Sequence, residues 1–302
     1  MGPFQTGSGG GRLVILVTGS TGEIGGRVAR LLVERGVPLR LLSRDAARAP
    51  ALPGAQIVTG DYAQPSSLDA AFAGVDAALI VSGYAKPMER ALLHKNAFEA
   101  AARAGVGHVV YTSFQGAAPD SKFPMSRDHH QSEAYLKESG VSFTALRDSL
   151  YQDIVPHLFD SEGCVRGPAG NGKAAWVARD DVAAVIAQLL VAPPEKSATL
   201  DVTGPEALDL DEIAARLSKI LGRELVYEPE SVEAGRAWRS KTGAPDWEID
   251  TWLGSYEAMQ AGELGAVSQT VSQILGRPPI TIEECLARHP ELLKDLRRNS
   301  SH

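Results

Sequence analysis

The sequence predicts an α/β fold with a doubly wound, parallel sheet followed by a smaller lobe. Three observations carry this prediction: apolar runs of strand length alternate with stretches of helical periodicity, a glycine-rich turn joins the first run to the first helix, and the alternation stops near residue 150. The predicted strands begin at Leu13, Leu39, Gln56, Ala77, His108 and Ser142. Such alternation produces parallel sheets with right-handed crossovers, which bind ligands beyond the carboxyl ends of their strands.

The first strand leads directly into the glycine-rich turn and a helix. Gly19 permits the tight turn, Gly22 lets backbone amides approach a phosphate, and Gly25 allows close packing of the helix on the sheet. The helix N-terminus then offers unpaired N–H groups and partial positive charge to an anion. We therefore predict a dinucleotide site whose pyrophosphate turn consists of Gly19, Ser20, Thr21, Gly22, Glu23, Ile24 and Gly25.

The end of the second strand favours NADP(H) over NAD(H). An NAD-dependent enzyme usually carries Asp or Glu there to accept hydrogen bonds from the ribose 2′-hydroxyl. Arg44 occupies this place, and a guanidinium can pair with a 2′-phosphate through two hydrogen bonds. A solvated surface arginine is the alternative interpretation. Asp45 follows at once and leaves weak use of NAD open.

Proline and glycine residues break the alternation after Arg147. We divide the chain into a flexible N-terminal segment at 1–12, an NADP-binding domain at 13–150 and a mainly C-terminal substrate lobe at 151–302. Short strands at 174–178 and 198–203 are expected to complete the sheet of the first domain.

The lobe is predicted to contain an amphipathic helix at 208–221, a strand at 224–228 and further helices beyond Ser231. Trp238, Trp247 and Trp252 lie in this helical region, which is expected to cover the crevice.

Composition excludes several classes of protein. The net charge of −7 and pI near 5.6 argue against nucleic-acid binding, which needs a basic surface. No apolar run reaches the length of a membrane span. Cys164 and Cys285 lack the spacing of zinc ligands, so no metal site is expected. We expect a cytoplasmic protein with a small-molecule acceptor as partner, and a homodimer stays open.

Six motifs and one arginine follow one another along the chain: GSTGEIG, the strand-ending Arg44, GDYAQPSSL, YTSF, HHQSE, LRDSLY and GNGKAAWVARDDVA. From Leu13 to about Leu293 this series resembles the NmrA-like atypical short-chain dehydrogenase/reductase family. Within it, the series is most similar to the group of NADPH-dependent quinone oxidoreductase 2 and triphenylmethane reductase. The resemblance implies an NAD(P)-binding Rossmann fold with a smaller C-terminal substrate lobe.

The resemblance also implies which strand ends meet the cofactor. The GDY segment places Asp61 and Tyr62 beside the adenine, although a turn-capping role for Asp61 is the alternative. Ser82 and Gly83 follow the fourth strand and pass beneath the ribose, where a missing β-carbon permits close approach. Thr112 ends the fifth strand on the same edge.

Ser113 lies where ordinary short-chain dehydrogenases keep their catalytic serine. Their proton donor is a Tyr whose pKa is lowered by a Lys four residues later. None of the seven tyrosines in this chain has Lys at that distance. His129 falls near the missing lysine, in a segment matching the family's HxxTE pattern with Ser for Thr. A histidine that titrates near neutrality could orient ribose or substrate or relay a proton, and a surface-loop histidine is the alternative.

Tyr151 belongs to the segment that matches the family's RNGxY pattern, with Asp148 in place of Asn. An ionised Asp only accepts hydrogen bonds, so the family's contact at this position is in doubt. Tyr151 is predicted to stack on a planar substrate, with packing of the crevice wall as the alternative. Tyr84 and Phe114 are predicted to line the substrate site with it.

The missing Tyr–Lys pair favours hydride transfer from NADPH to a planar, electron-poor acceptor such as a quinone or dye. Such acceptors delocalise the charge that they gain and need no strong general acid. Two alternatives stay open. One is a non-catalytic NADP(H)-sensing regulator of the NmrA type. The other is a biosynthetic carbonyl or imine reductase that uses Ser113 and His129.

Overall fold

The computed structural model describes residues 13–298, so the predicted flexible segment at 1–12 lies outside the described residues. Nine strands are present in this range: β1 (Ile15–Val17), β2 (Leu39–Ser43), β3 (Ala55–Thr59), β4 (Ala77–Ile80), β5 (His108–Phe114), β6 (Phe143–Asp148), β7 (Cys164–Gly167), β8 (Ala198–Val202) and β9 (Val226–Pro229). Seven of them form one parallel sheet in the order β3-β2-β1-β4-β5-β6-β8. The predicted doubly wound parallel fold is confirmed.

Eleven α-helices lie in the same range: α1 (Glu23–Glu34), α2 (Pro65–Phe72), α3 (Glu89–Arg103), α4 (Pro124–Glu138), α5 (Arg179–Val191), α6 (Leu210–Leu221), α7 (Val232–Arg239), α8 (Asp246–Gln260), α9 (Thr270–Leu275), α10 (Ile282–Arg288) and α11 (Lys294–Arg298). None of the helices in the described part of the chain combines the length and apolar character needed to cross a bilayer.

Strand order sets the position of the ligand crevice. The chain first builds β1, β2 and β3 outward and then returns to place β4 on the other side of β1. Val17, the last residue of β1, lies in register between Leu41 and Leu79. Loops leaving β1 and β4 diverge at this point and open a crevice at the carboxyl edge.

The sheet is covered on both faces. Helices α1 and α5 pack together on one face, over a buried cluster that includes Val28, Leu32 and Ile186. Helices α2, α3 and α4 cover the other face, where Phe72 and Phe98 are fully buried. Burial on both faces accounts for the apolar runs in the central strands.

The lobe has its own core and a two-stranded parallel sheet. Strand β7 pairs with β9, and Trp176 and Met259 belong to the buried cluster beneath them. The predicted sheet strand at 198–203 is confirmed as β8, and the helix predicted at 208–221 is α6.

The strand predicted at 174–178 is wrong. Only isolated bridges occur there, at Ala174 and Val177. The amides of Ala174, Ala175 and Val177 donate to three separate segments, through the carbonyls of Leu208, Leu264 and Leu150. These scattered backbone contacts cannot extend one ladder, so the segment stays irregular while remaining buried.

Two glycines set the approach of α1 to β1. Gly19 adopts φ +60°, in the left-handed region that favours glycine. A β-carbon at Gly25 would lie 2.4 Å from the Gly19 carbonyl oxygen, well inside van der Waals contact. The predicted roles of Gly19 in the turn and of Gly25 in close helix packing are confirmed.

Gly25→Ala is expected to lower the free energy of unfolding by about 1–3 kcal/mol, because the new methyl group meets backbone atoms that cannot move aside locally. Chemical denaturation with the slope held common to all variants measures the change. Gly265→Ala is the control, since its β-carbon would find its nearest neighbour at an ordinary 3.6 Å. Equal stability of the two variants would contradict this account of α1 packing.

Candidate active site

A cleft of about 270 Å³ lies where the loops that follow β1 and β4 diverge, and it is called the cofactor cleft below. It brings together eight residues predicted from the sequence: Gly19, Thr21, Arg44, Asp61, Tyr62, Ser82, Gly83 and Tyr84. Asp45, which the sequence linked to weak use of NAD, also lines the cleft. Sequence reasoning did not identify a further set of lining residues: Thr18, Leu42, Ser43, Arg48, Gly60, Val81 and Leu93.

The glycine turn presents backbone rather than side chains to this cleft. Gly22 caps α1 without a side-chain hydrogen bond, so the first N–H groups of the helix stay available. The Glu23 carboxylate instead pairs with Arg27 at 3.2 Å, and Ile24 is buried in the core. Ser20 is also buried. The side chains of these three residues therefore shape the turn, and the amides could hold a pyrophosphate.

Two arginines lie at the end of the cofactor cleft that follows β2. Ser43 donates from Oγ to the Asp45 carbonyl at 2.7 Å, and the Asp45 carboxylate accepts from the Ala47 amide at 2.9 Å. This cap uses one oxygen of the carboxylate that an NAD-dependent enzyme would offer to a ribose hydroxyl. The short 3₁₀ turn that it begins ends at Arg48, which lines the cleft with Arg44.

Side-chain hydrogen bonds hold together the segments that follow β1 and β4. Thr18 Oγ1 accepts from the Val81 amide at 2.9 Å and from the Tyr62 hydroxyl at 2.6 Å. The Asp61 carboxylate accepts from the Ala63 amide at 2.9 Å, which is the turn cap weighed as the alternative role. Because these bonds hold the cleft walls in place, the site is largely formed before any ligand enters.

Thr112 does not line the cofactor cleft but supports it from below. Its Oγ1 accepts from the Ser82 amide at 2.7 Å, so the end of β5 fixes the loop that follows β4. The next amide of that loop, at Gly83, donates to Nε2 of buried His94 at 2.9 Å. His94 Nδ1 must then carry the proton and donate to Ser132 Oγ, 2.9 Å away.

His129 belongs to the same interior network, with 4% of its surface exposed. The Arg90 guanidinium donates to its Nε2 at 2.7 Å, so Nδ1 carries the proton and donates to the Tyr111 hydroxyl at 3.0 Å. Phe114 stacks over its ring. Burial and then the charge of Arg90 hold the pKa of His129 well below its usual range. The predicted titration of His129 near neutrality is therefore wrong.

Ser113 lies on β5 and is buried against a part of α4 different from the one that carries His129. Its hydroxyl donates to Glu133 Oε1 at 2.5 Å, and Glu133 in turn forms a two-bond ion pair with Arg147. Only 1% of Ser113 is exposed. The serine therefore ties β5 to α4, and the structure does not assemble a Ser113–His129 pair.

Tyr151 follows the carboxyl end of β6, at the same edge of the sheet as the glycine turn. Its hydroxyl donates to the Asp148 carboxylate. The Arg179 guanidinium lies over its ring, 4.7 Å from the centroid. Burial raises the pKa of Asp148 to about 7, although the Tyr151 hydroxyl and the charges of Arg90 and Arg179 oppose the increase.

A second cavity, of about 830 Å³, lies in the lobe beside the end of β6 and is called the aromatic cavity below. Its apolar walls consist of Leu150, Ile154, Leu158, Trp176, Trp238, Trp252, Tyr256 and Met259. None of the predicted substrate residues lines it. Tyr84 lines the cofactor cleft and contacts Trp247, Phe114 is buried against Phe123, and Tyr151 is adjacent to Leu150.

Comparison with known proteins gives consistent matches. Residues 19–193 match the family model described as NAD(P)H-binding. The NAD(P)H azoreductase of Xenophilus azovorans is 33% identical over 281 residues, covering 91% of this chain and 98% of the relative.

Two solved structures match over a similar length. The NADPH-dependent quinone oxidoreductase of Escherichia coli, crystallised with NADPH, has a TM-score of 0.83 at 29% identity and covers 92% of this chain and 99% of its own. The triphenylmethane reductase of Citrobacter sp., complexed with NADP(H), has a TM-score of 0.79 at 27% identity and covers 91% and 99%.

The buried histidines predict acid sensitivity of the fold. In the unfolded chain a histidine takes up a proton below about pH 6.5, whereas buried His129 stays neutral. His129 therefore causes the free energy of unfolding to fall as the pH falls. Replacement by Gln removes this proton linkage, so the loss of unfolding free energy between pH 7 and pH 5 should shrink by about 2 kcal/mol.

Denaturant titrations of wild type and His129→Gln at both pH values measure this loss. His130→Gln, at the neighbouring half-exposed position, is the matched control. An equal loss in wild type and His129→Gln would show that His129 is protonated in the folded protein.

Proposed function

This chain belongs to the NAD(P)H-binding family and is an NAD(P)H-dependent oxidoreductase, and on that premise we propose that it transfers a hydride directly from NADPH to a planar, electron-poor acceptor such as a quinone or a dye. One observation carries the proposal: the cofactor cleft lies beyond the carboxyl ends of β1, β2 and β4, and the aromatic cavity is lined by Leu150, two residues beyond the carboxyl end of β6 in the same parallel sheet. The relatives named above as azoreductase, quinone oxidoreductase and triphenylmethane reductase support the choice of acceptor.

The residues of the cofactor cleft fit NADPH. Close packing at Gly25 keeps the first amides of α1 beside the cleft, where they would hold the pyrophosphate. Arg44 and Arg48 would bind the 2′-phosphate, since both line the end of the cleft and Asp45 is engaged in its own cap. Bound NADPH would supply the hydride.

The acceptor is proposed to lie in the aromatic cavity, at the end that Leu150 lines. Indole and phenol rings from Trp176, Trp252 and Tyr256 give this cavity the walls that a flat conjugated molecule needs. The walls would exclude water and hold the acceptor in a fixed orientation, which is the main contribution a protein makes to hydride transfer from a cofactor.

An anaerobic assay of NADPH oxidation with a panel of quinones and cationic and azo dyes tests the proposed function. Turnover of at least one acceptor, with its reduced product identified, is the expected result. Binding of NADP(H) without turnover of any acceptor would contradict the proposal and favour the sensor alternative.

Arg44→Ala and Arg48→Ala are each expected to raise the Kd for NADPH by about ten- to a hundredfold, because each loses charge-assisted hydrogen bonds to the 2′-phosphate. The Kd for NADH should change little. Titration of cofactor fluorescence measures both constants, and Arg103→Ala, at an exposed ion pair with Asp69, is the control. Equal losses of affinity for NADPH and NADH would show that the arginines contact a part of the cofactor other than the 2′-phosphate.

Ser255 is a half-buried residue of α8 that lines the aromatic cavity. The substitution Ser255→Trp is therefore expected to fill part of this cavity. The KM for a large dye should rise by about tenfold or more, while the Kd for NADPH stays unchanged. Steady-state kinetics and cofactor titration separate the two effects. An unchanged KM would show that the acceptor does not bind in this cavity.

A further inference from the structure

A carboxyl–phenol pair lies at the carboxyl end of β6. Asp148 is the last residue of this strand, in register with Phe114 of β5 and Val202 of β8, and only 3% of it is exposed. The hydroxyl of half-buried Tyr151 donates to its carboxylate. The pair therefore joins an interior acid to a side chain that reaches the edge of the sheet.

Backbone bonds hold Tyr151 in place. The Val177 amide donates to the Leu150 carbonyl and the Gln152 amide donates to the Val177 carbonyl, both at 2.9 Å. These two bonds fix the chain on each side of Tyr151, and the guanidinium of Arg179 covers one face of the ring. The phenol has little freedom to swing away from Asp148.

The charged and titratable groups around the pair come from three other elements. Arg90 of α3 and Arg179 of α5 act on Asp148, and Asp153 of the 3₁₀ segment Gln152–Leu158 acts on Tyr151. Arg179 forms no ion pair within residues 13–298, and its Nε has no hydrogen-bond partner there. The pair thus lies beside a cation that no carboxylate neutralises through a direct contact.

Two other polar groups predicted for this edge are already engaged. Ser113 donates to Glu133, and His129 is a neutral acceptor for Arg90. The Ser113 hydroxyl proton and the His129 Nδ1 proton are both held in buried hydrogen bonds, to Glu133 and Tyr111. Asp148 and Tyr151 lie at the carboxyl end of β6, and the proposed hydride transfer leaves both unused.

We propose that Tyr151 gives a proton to the reduced acceptor and that Asp148 replaces that proton, which would serve those acceptors that must gain a proton together with the hydride, such as azo compounds. The inference rests on the proposed function. It also gives a role to the aspartate that stands where the resembling family has asparagine.

The proton transfer balances without another reactant. Hydride addition to one nitrogen of an azo bond leaves a negative charge on the other nitrogen. The O–H bond of Tyr151 breaks and an N–H bond forms at that atom, while the O–H bond of protonated Asp148 breaks and the phenol O–H re-forms. Asp148 then carries a negative charge, and solvent restores its proton after the product leaves.

Protonation of Asp148 determines the direction of its bond with Tyr151. A neutral carboxyl can donate to the phenol oxygen, which frees the phenol proton for the acceptor. Since burial raises the pKa of Asp148 to about 7, a substantial share of the protein holds this proton at neutral pH. Azo turnover should therefore fall as the pH rises above 7.

Two dyes separate proton delivery from hydride transfer. A cationic triphenylmethane dye becomes its neutral product by gaining a hydride alone, whereas an azo dye needs a proton as well. In Asp148→Asn the ratio of azo to cationic-dye turnover is expected to fall by about tenfold or more, and the decline above pH 7 should disappear. Tyr151→Phe should lower the same ratio.

Asp69→Asn, a change at an exposed aspartate paired with Arg103, is the matched control and should keep the wild-type ratio. Infrared difference spectroscopy of the protein without cofactor provides a readout independent of turnover. A protonated-carboxyl band that titrates near pH 7 in wild type should be absent from Asp148→Asn and persist in Tyr151→Phe.

An unchanged ratio in both variants, or a wild-type protein without the titrating band, would overturn the proton-donating role. Failure of wild type to reduce any acceptor of the panel would instead overturn the proposed hydride transfer, so the two outcomes are distinguishable.

Discussion

At Gly25 the first turn of α1 lies so close to the β1 turn that any side chain would collide with the Gly19 carbonyl. This approach places the helix N-terminus beside the cofactor cleft and carries Arg27 against the lobe. Arg27 pairs with buried Asp153 at 2.9 Å and also with Asp180. One helix therefore positions the amides that are proposed to bind the pyrophosphate and connects the sheet domain to the segments that build the aromatic cavity.

A second constraint is the interior network around Arg90. A buried guanidinium needs acceptors, and it finds them in the Gly83 carbonyl and in Nε2 of His129. These bonds hold the loop after β4 beneath the cofactor cleft. Because they also keep His129 neutral, this residue supports the site instead of exchanging protons in it. The proposed proton donor lies instead at the end of β6, in the hydrogen-bonded pair of Asp148 and Tyr151.

The sequence was sufficient to predict the sheet, since its strands are apolar runs separated by helical periodicity, and to predict the cofactor turn from its three glycines. It could not reveal contacts between distant segments. Arg90 lies 39 residues before His129, and nothing near either residue signals that they meet. Arg48 was missed because a cap formed by Asp45 brings it back to the cleft. Ala175 is apolar and buried, yet its amide bonds to Leu264, which no local pattern encodes.

The central claim is that a hydride passes directly from NADPH to the acceptor. Transfer of isotope from NADPH deuterated at C4, in separate experiments for each face, to a cationic triphenylmethane dye tests this claim most directly. The carbon–hydrogen bond formed in the reduced dye does not exchange with water. Mass spectrometry should find one deuterium in the product from one labelled face and none from the other. A reduced dye without deuterium from either face would contradict direct transfer.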